Sequence, residues 1–397
     1  MIENAAKYYI NTYKGLSKEI WLLAFVNLVN RCGTMVGAFL MIYLTSQIGC
    51  TLTQAGSVIA FFGIGAIFGS LLGGKLTDKI GFYKVQLATL ILGGCIFIVL
   101  GQLRTYYSIS ICVFILGSIN EAFRPANSAA MAKYSTEENR MRSFSLMRLS
   151  FNLGWAVGGG LGGLIASYSY QYLFWIDGIT NMIAALLIYL LLPPVIVKDA
   201  VNKLENVLVK VSAHKDKVFI SFVLVSLLYI MSFFQMLSNL TTYFKNEVLL
   251  SERSIGILMM WNGILIVLIE MSLVYYLERN CSKRKAVIFG VSLHIIAYAI
   301  LVIFKVNFLV AFISMTFITL SEIFAFSVLV SFWMTRADET NRGQYAGIWT
   351  MTWAIAQSSG SFLGSAVAQH FGFNMLWCIV ILFCATAIFF YSKLIKN

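Results

Sequence analysis

The chain has 397 residues, 59% of them hydrophobic and only 12% charged, with a net charge of +12 and a mean hydropathy of +0.81. Soluble domains carry about 25% charged residues, so this composition excludes an ordinary soluble enzyme or binding domain. Three prolines and 30 glycines favour closely packed helices, and the short alternating strands of an outer-membrane barrel are absent from the sequence.

The first 18 residues are too polar for a signal-peptide core, so the first apolar run is expected to remain as a span. Runs long enough to cross roughly 30 Å of hydrocarbon follow at 20–46, 54–74, 85–103, 108–132, 143–167, 173–192, 218–241, 255–276, 286–304, 308–334, 345–369 and 375–394. That makes twelve. Between the second and third lies a short charged hairpin, Gly73-Gly74-Lys75-Leu76-Thr77-Asp78-Lys79-Ile80-Gly81-Phe82-Tyr83-Lys84. Such a segment must lie at a membrane face, and its lysines place that face in the cytoplasm. An even number of spans then puts both termini on the same side, where Lys7, Lys14, Lys18, Lys393 and Lys396 agree with it. Most basic residues fall in segments on that side, which accounts for the positive charge and leaves no basic face for nucleic acid.

The one long polar interruption is 193–217, opened by Pro193-Pro194 and carrying Lys198, Lys203, Lys210, Lys215 and Lys217. The prolines stop the sixth helix, and the remainder suits a helix on the membrane surface. It divides the chain into an N-terminal six-helix bundle (1–192), a cytoplasmic linker (193–217) and a C-terminal six-helix bundle (218–397). Cys32, Cys50, Cys95, Cys112, Cys281, Cys378 and Cys384 are scattered without CxxC spacing, as small core residues. No metal or other cofactor is implied.

The halves repeat. Asp78 is echoed by Glu278, next to Arg279; Asn139-Arg140 by Asn341-Arg342; Gly158 and Gly162 by Gly360 and Gly364; Glu121 by Glu322. All four matches share a shift of about 200 residues, the signature of parallel internal repeats with a site between them at the midplane.

Ionisable residues inside spans are costly in lipid and mark function by default. Arg31, eleven residues into the first run, lies roughly 16 Å deep at 1.5 Å per residue. Glu121 and Glu322 fall at similar depth in the fourth and tenth, with Arg124 a turn from Glu121 beside Pro125. Burial raises a carboxylate pKa and a neighbouring arginine lowers it, so either acid can be poised to carry a proton. Arginine keeps its proton, so Arg31 and Arg124 serve as fixed counter-charges or anion ligands. A buried Arg31–Glu121 salt bridge is the structural alternative. Asn30, Gln235, Asn239, Trp349, Trp353 and Gln357 supply candidate polar and aromatic lining. Glu270 fits a gate nearer the cytoplasm, Arg148 and Asn152 either a gate or the cavity, and Asp177 an interfacial cap. No histidine has a companion at metal-ligand spacing, no GxxxxGK[ST] loop occurs, and no nucleophile–base cluster lies at membrane depth.

Gly74, Leu76, Asp78, Lys79, Gly81 and Lys84 follow the hallmark loop between the second and third helices of the major facilitator superfamily, which this chain resembles. Gly154, Gly158 and Gly162 on one helical face resemble that family's fifth-helix antiporter signature, with Gly159 where the pattern has proline. The resemblance implies an all-α fold of twelve transmembrane helices in two pseudo-symmetric bundles, a cavity lined by the first, fourth, seventh and tenth helices, and a hallmark loop that stabilises the outward-facing state through charge contacts. It implies a monomeric, multi-pass transporter of the bacterial inner (plasma) membrane that moves a small molecule by alternating access coupled to protons. The glycine signature favours antiport, exporting drugs or amphiphilic metabolites. The charge layout also resembles proton-coupled peptide transporters, with Arg124-Pro125-Ala126-Asn127 departing from their pattern, and so favours symport of a zwitterionic peptide-, amino-acid- or siderophore-like solute. A receptor or lipid-moving protein on the same fold is the reading from another class.

Overall fold

The computed structural model of the protein describes residues 15–136, 138–193, 213–337 and 341–395, and for Met141, Met271, Tyr275, Glu278, Arg279 and Arg342 the backbone alone. Most of the expected linker helix, the side chains of Glu278 and Arg279, and Lys7, Lys14 and Lys396 lie outside what is described.

The described chain is helical, with spans at Lys18–Ser46, Leu52–Ile80, Phe82–Gln102, Tyr106–Tyr134, Arg140–Ala166, Tyr170–Leu191, Lys217–Asn246, Glu252–Asn280, Lys283–Ile303, Phe308–Arg336 and Arg342–Leu394. The last is far too long for one crossing of roughly 30 Å. It turns at Gly372, whose φ of 81° suits glycine, so it counts as two spans and the total is twelve. Several spans start where the sequence supplies a hydroxyl, amide or carboxylate N-cap: Ser17, Thr51, Thr105, Asp216, Ser251, Ser282 and Asn307 each accept a backbone N–H of the first turn. The helices outrun the apolar runs; the second continues to Ile80, so Asp78 lies in its last turn.

Two spans expected to be continuous are broken. The first stops at Cys32 and restarts at Met35; the seventh passes through a 3₁₀ turn, Gln235–Leu237, before Asn239–Asn246. Hydropathy does not register such breaks, because polar side chains within the bundle satisfy the freed backbone groups.

Glycines set the packing. A Cβ at Gly154 would stand 2.5 Å from Arg31 Cβ, at Gly158 3.0 Å from the Cys32 carbonyl, and at Gly162 3.1 Å from Met35 Cβ. The stripe on the fifth span therefore seats the first span at its break. Gly360 and Gly364 do the same for the seventh, 3.0 Å from the Met231 carbonyl and 2.3 Å from Gln235 Oε1. The repeat seen in sequence is a repeat of packing.

Residue 81, residues 135–136 and 138–139, and residues 281–282, each between successive spans, share one membrane face with the residues flanking 194–212; we call it the linker face. Towards the opposite face the halves meet backbone to backbone. A Cβ at Gly163 would stand 2.5 Å from Gly256 Cα and one at Gly56 2.4 Å from Ser365 Oγ. The Tyr170 hydroxyl donates to Glu252 at 2.8 Å across the same seam. At Gly74, Gly343 and Gly347, near the linker face, a Cβ would meet nothing within 4 Å.

Candidate functional site

Between the halves lies a cavity of about 410 Å³, walled by side chains from both. Arg31, Glu121, Arg124 and Asn30 face it from the first half, and Glu322, Asn262, Trp353 and Gln357 from the second. Phe62, Phe151, Trp155, Phe233 and Phe234 make much of the remaining wall aromatic. The fifth-span stripe positions Arg31; the glycine ladder of the second span positions Glu121. A Cβ at Gly69 would stand 1.9 Å from the Ser118 carbonyl, and one at Gly73 2.5 Å from Ala122 Cα, which brings that part of the fourth span against the second.

The cavity charges are not joined by the Arg31–Glu121 bridge that was the structural alternative. Glu121 is held by Arg124 on its own helix, Nε to Oε2 at 3.1 Å and NH2 to Oε1 at 3.3 Å, and Arg31 forms no salt bridge with it. Three residues apart on one helix, Glu121 and Arg124 meet without help from another span. Arg31 instead lies over the Phe151 ring, 4.5 Å from its centroid, with its Nε buried and unpartnered. It stands in the last turn of the first half-helix, where carbonyl dipoles favour a cation.

The next half-helix is charge-matched at its other end. The Asp177 carboxylate is fully buried and accepts the amides of Met35 at 3.1 Å and Val36 at 2.9 Å. Asp177 is thus a cap, but at a broken helix inside the protein and not at the membrane interface. Gly33 lets the sixth span approach: a Cβ there would stand 1.7 Å from Thr180 Oγ1. Asn30 donates to Asn181 at 3.0 Å, joining the same network.

Glu322 has a lighter environment. It accepts from the Asn262 amide at 3.2 Å, and among the described residues no Lys, Arg or His nitrogen lies within 4 Å of it. Further towards the linker face, Arg148 of the fifth span is ion-paired with Glu270 of the eighth, and the Asn152 amide donates to the same carboxylate at 3.3 Å.

Three expected lining residues are elsewhere. Gln235 and Asn239 are buried behind the cavity wall: Asn239 donates to Gln235 at 2.7 Å, Gln235 to the Gly360 carbonyl at 2.9 Å, and Ser365 to Asn239 at 3.0 Å. They bind the broken seventh span to the eleventh, because the backbone groups freed there need partners. Trp349 is buried against Phe222, with centroids 5.8 Å apart. In the hallmark loop, Asp78, Lys79 and Lys84 are exposed, and Asp78 makes no ion pair or hydrogen bond among the described residues. Gly81, with φ of 86°, makes the turn into the third span.

Twelve apolar spans in two pseudo-symmetric halves, with acids and arginines meeting in a cavity between them, define a membrane transporter. The Major Facilitator Superfamily model matches residues 23–361, and the chain belongs to that superfamily. It is 24% identical over 369 residues to the uncharacterized MFS-type transporter YttB of Bacillus subtilis (strain 168), with 90% of each chain covered. It is 23% identical over 387 residues to a Na(+), Li(+), K(+)/H(+) antiporter of Planococcus maritimus, covering 88% of each. It is 25% identical over 375 residues to the quinolone resistance protein NorA of Staphylococcus aureus (strain MRSA252), covering 89% of each. Among solved structures, a variant of the nucleoside transporter NupG superposes with a TM-score of 0.81 at 16% identity, over 96% of this chain and 100% of that one. That likeness is one of fold.

Proposed function

We propose that the protein is a proton-coupled carrier of a small organic solute and that Glu322 carries the proton. The observation behind this choice is the difference between the two cavity acids. Glu121 is committed to Arg124, whereas Glu322 holds, among the described residues, an amide alone and can gain or lose a proton without breaking an ion pair. The aromatic wall suits an amphiphilic body. The linker face is read as the cytoplasmic side, with both termini on it, in a bacterial inner membrane, and the carrier as a monomer of two bundles, 1–192 and 218–397. The direction is read as export by proton antiport, supported by the likeness to an antiporter and to a resistance protein and by the fifth-span glycines.

A second reading, symport of a zwitterion, is favoured by Arg31, a cavity cation without an acidic partner. Reconstituted protein with an internal pH dye separates the readings. A quinolone or Na⁺ added on one side should drive protons the opposite way under antiport; co-movement of protons with a dipeptide supports symport. Glu322→Gln should abolish either signal, and Glu121→Gln should weaken it without removing its pH dependence. Proton movement in Glu322→Gln equal to that of the wild type would overturn the carrier assignment.

A further inference from the structure

Glu270 is 7% exposed, a carboxylate withdrawn from water in the eighth span. Both its oxygens are engaged from the other half of the molecule, Oε1 by Arg148 and Oε2 by Asn152. Arg148 is the more exposed partner, with 55% of its side chain accessible against 10% for Glu270. The pair therefore ties the fifth and eighth spans together where the cavity approaches the linker face.

The same face of the eighth span leads to the proton site. Asn262, Ile266 and Glu270 follow at four-residue spacing, so they stack along one side of the helix. Asn262 holds Glu322, and Asn262 and Ile266 line the cavity. Glu270 thus stands two turns from the residue that holds Glu322. The charged groups facing Glu270 are Arg148 from the fifth span and, along the cavity, Glu322 from the tenth.

An ionised Glu270 cannot leave Arg148 cheaply, because a buried carboxylate without a counter-charge is strongly disfavoured. A neutral Glu270 can. It needs no cation and is left with only the neutral Asn152 hydrogen bond, which is weaker than the ion pair and yields when the spans part. Proton occupancy and the joining of the two halves are therefore linked at this residue.

We propose that Glu270 is a second proton station that also latches the linker face. The proton leaves the Glu322 carboxyl, crosses the cavity through water and binds a Glu270 oxygen, leaving Glu322 as a carboxylate. Arg148 is released, the linker-face ends of the fifth and eighth spans part, and Glu270 gives the proton to water on that side. Closing re-forms the ion pair. This deepens the reading of Glu322 as carrier and rests on it.

Spin labels at Arg140→Cys and Asn280→Cys, with the seven native cysteines replaced, report the separation of these two span ends by pulsed electron resonance. Lowering the pH from about 8 to about 5 should enlarge the long-distance population about tenfold in the wild type. Glu270→Gln and Arg148→Gln should show the long distance at every pH. The exchange Arg148→Glu with Glu270→Arg should restore the short one, which separates a lost latch from a lost fold. Glu322→Gln should keep the distance response, since bulk protons reach Glu270 at equilibrium, while losing proton-driven transport. A wild-type distance that ignores pH, or Glu270→Gln holding the short distance at about pH 8, overturns the latch. Normal proton-driven transport by Glu322→Gln with an intact distance response overturns the carrier assignment alone.

Discussion

Asp216 shows how a single side chain ties the second half together outside the membrane. It caps the seventh span through the amides of Val218 and Phe219. It also accepts Arg336 at the end of the tenth span and the Tyr345 hydroxyl at the start of the eleventh. Burial pushes its carboxyl pKa up, but the Phe219 amide, the Tyr345 hydroxyl and Arg336 outweigh that, and the net shift is below the ordinary carboxylate value. A depressed folded-state value stabilises the fold fully above the unfolded value, and the contribution is lost as pH falls through the folded one. Asp216→Asn should therefore melt at lower temperature than the wild type at neutral pH. The gap should close on acidification below about pH 4, the ordinary carboxylate value. Thermal unfolding followed by intrinsic tryptophan fluorescence at several pH values checks both halves of this expectation.

At the scale of elements, the broken first span is the feature hydropathy conceals. Its second half-helix begins inside the protein, and Asp177 supplies its cap. Asp177→Ala removes a carboxylate from two buried amides, and each buried donor left unpaired costs about 1–3 kcal/mol. The variant should unfold at lower temperature, and it should transport poorly, because the break positions Arg31 as well. Asp177→Asn, which keeps one acceptor oxygen, should fall between; melting temperatures of the three proteins settle the order.

The same span shows what was legible beforehand. Depth counting placed Arg31, Glu121 and Glu322 at one level, and all three line the cavity, because rise per residue is nearly constant along a helix. Counting does not give rotation about the axis, so Gln235, Asn239 and Trp349 were assigned to a wall they stand behind. Nor does it see a break: the place of Asp177 towards one end of the sixth span is legible, but the half-helix it caps, starting at Met35, is not. The glycine stripe was legible as close packing, but not as the seat of the first span on one side and of the eighth on the other.

For the whole molecule, closure of the face opposite the linker depends on backbone meeting backbone. A Cβ at Gly163 would stand 2.5 Å from Gly256 Cα, and one at Gly256 2.7 Å from Gly163 Cα, so neither helix has a flexible side chain there to give way. Within its own bundle, Gly163→Val adds only an isopropyl group to a helix surface. Across the seam it forbids the approach, and overpacking of this kind costs about 1–3 kcal/mol. That cost falls on the closed arrangement alone, so it shifts the equilibrium between arrangements by roughly five- to 150-fold. Gly163→Val should therefore retain a near-normal melting temperature yet hold the opposite face open. Transport should fall by about fivefold or more, and a cysteine at Ser361, on the eleventh span beside Gly56, should become reactive to a membrane-impermeant thiol reagent added from that side. Gly347→Ala, where a Cβ meets nothing within 4 Å, is the matched control and should leave both readouts unchanged. If Gly163→Val transports like the wild type, the glycine seam is not the closing surface, and the halves pivot on other contacts.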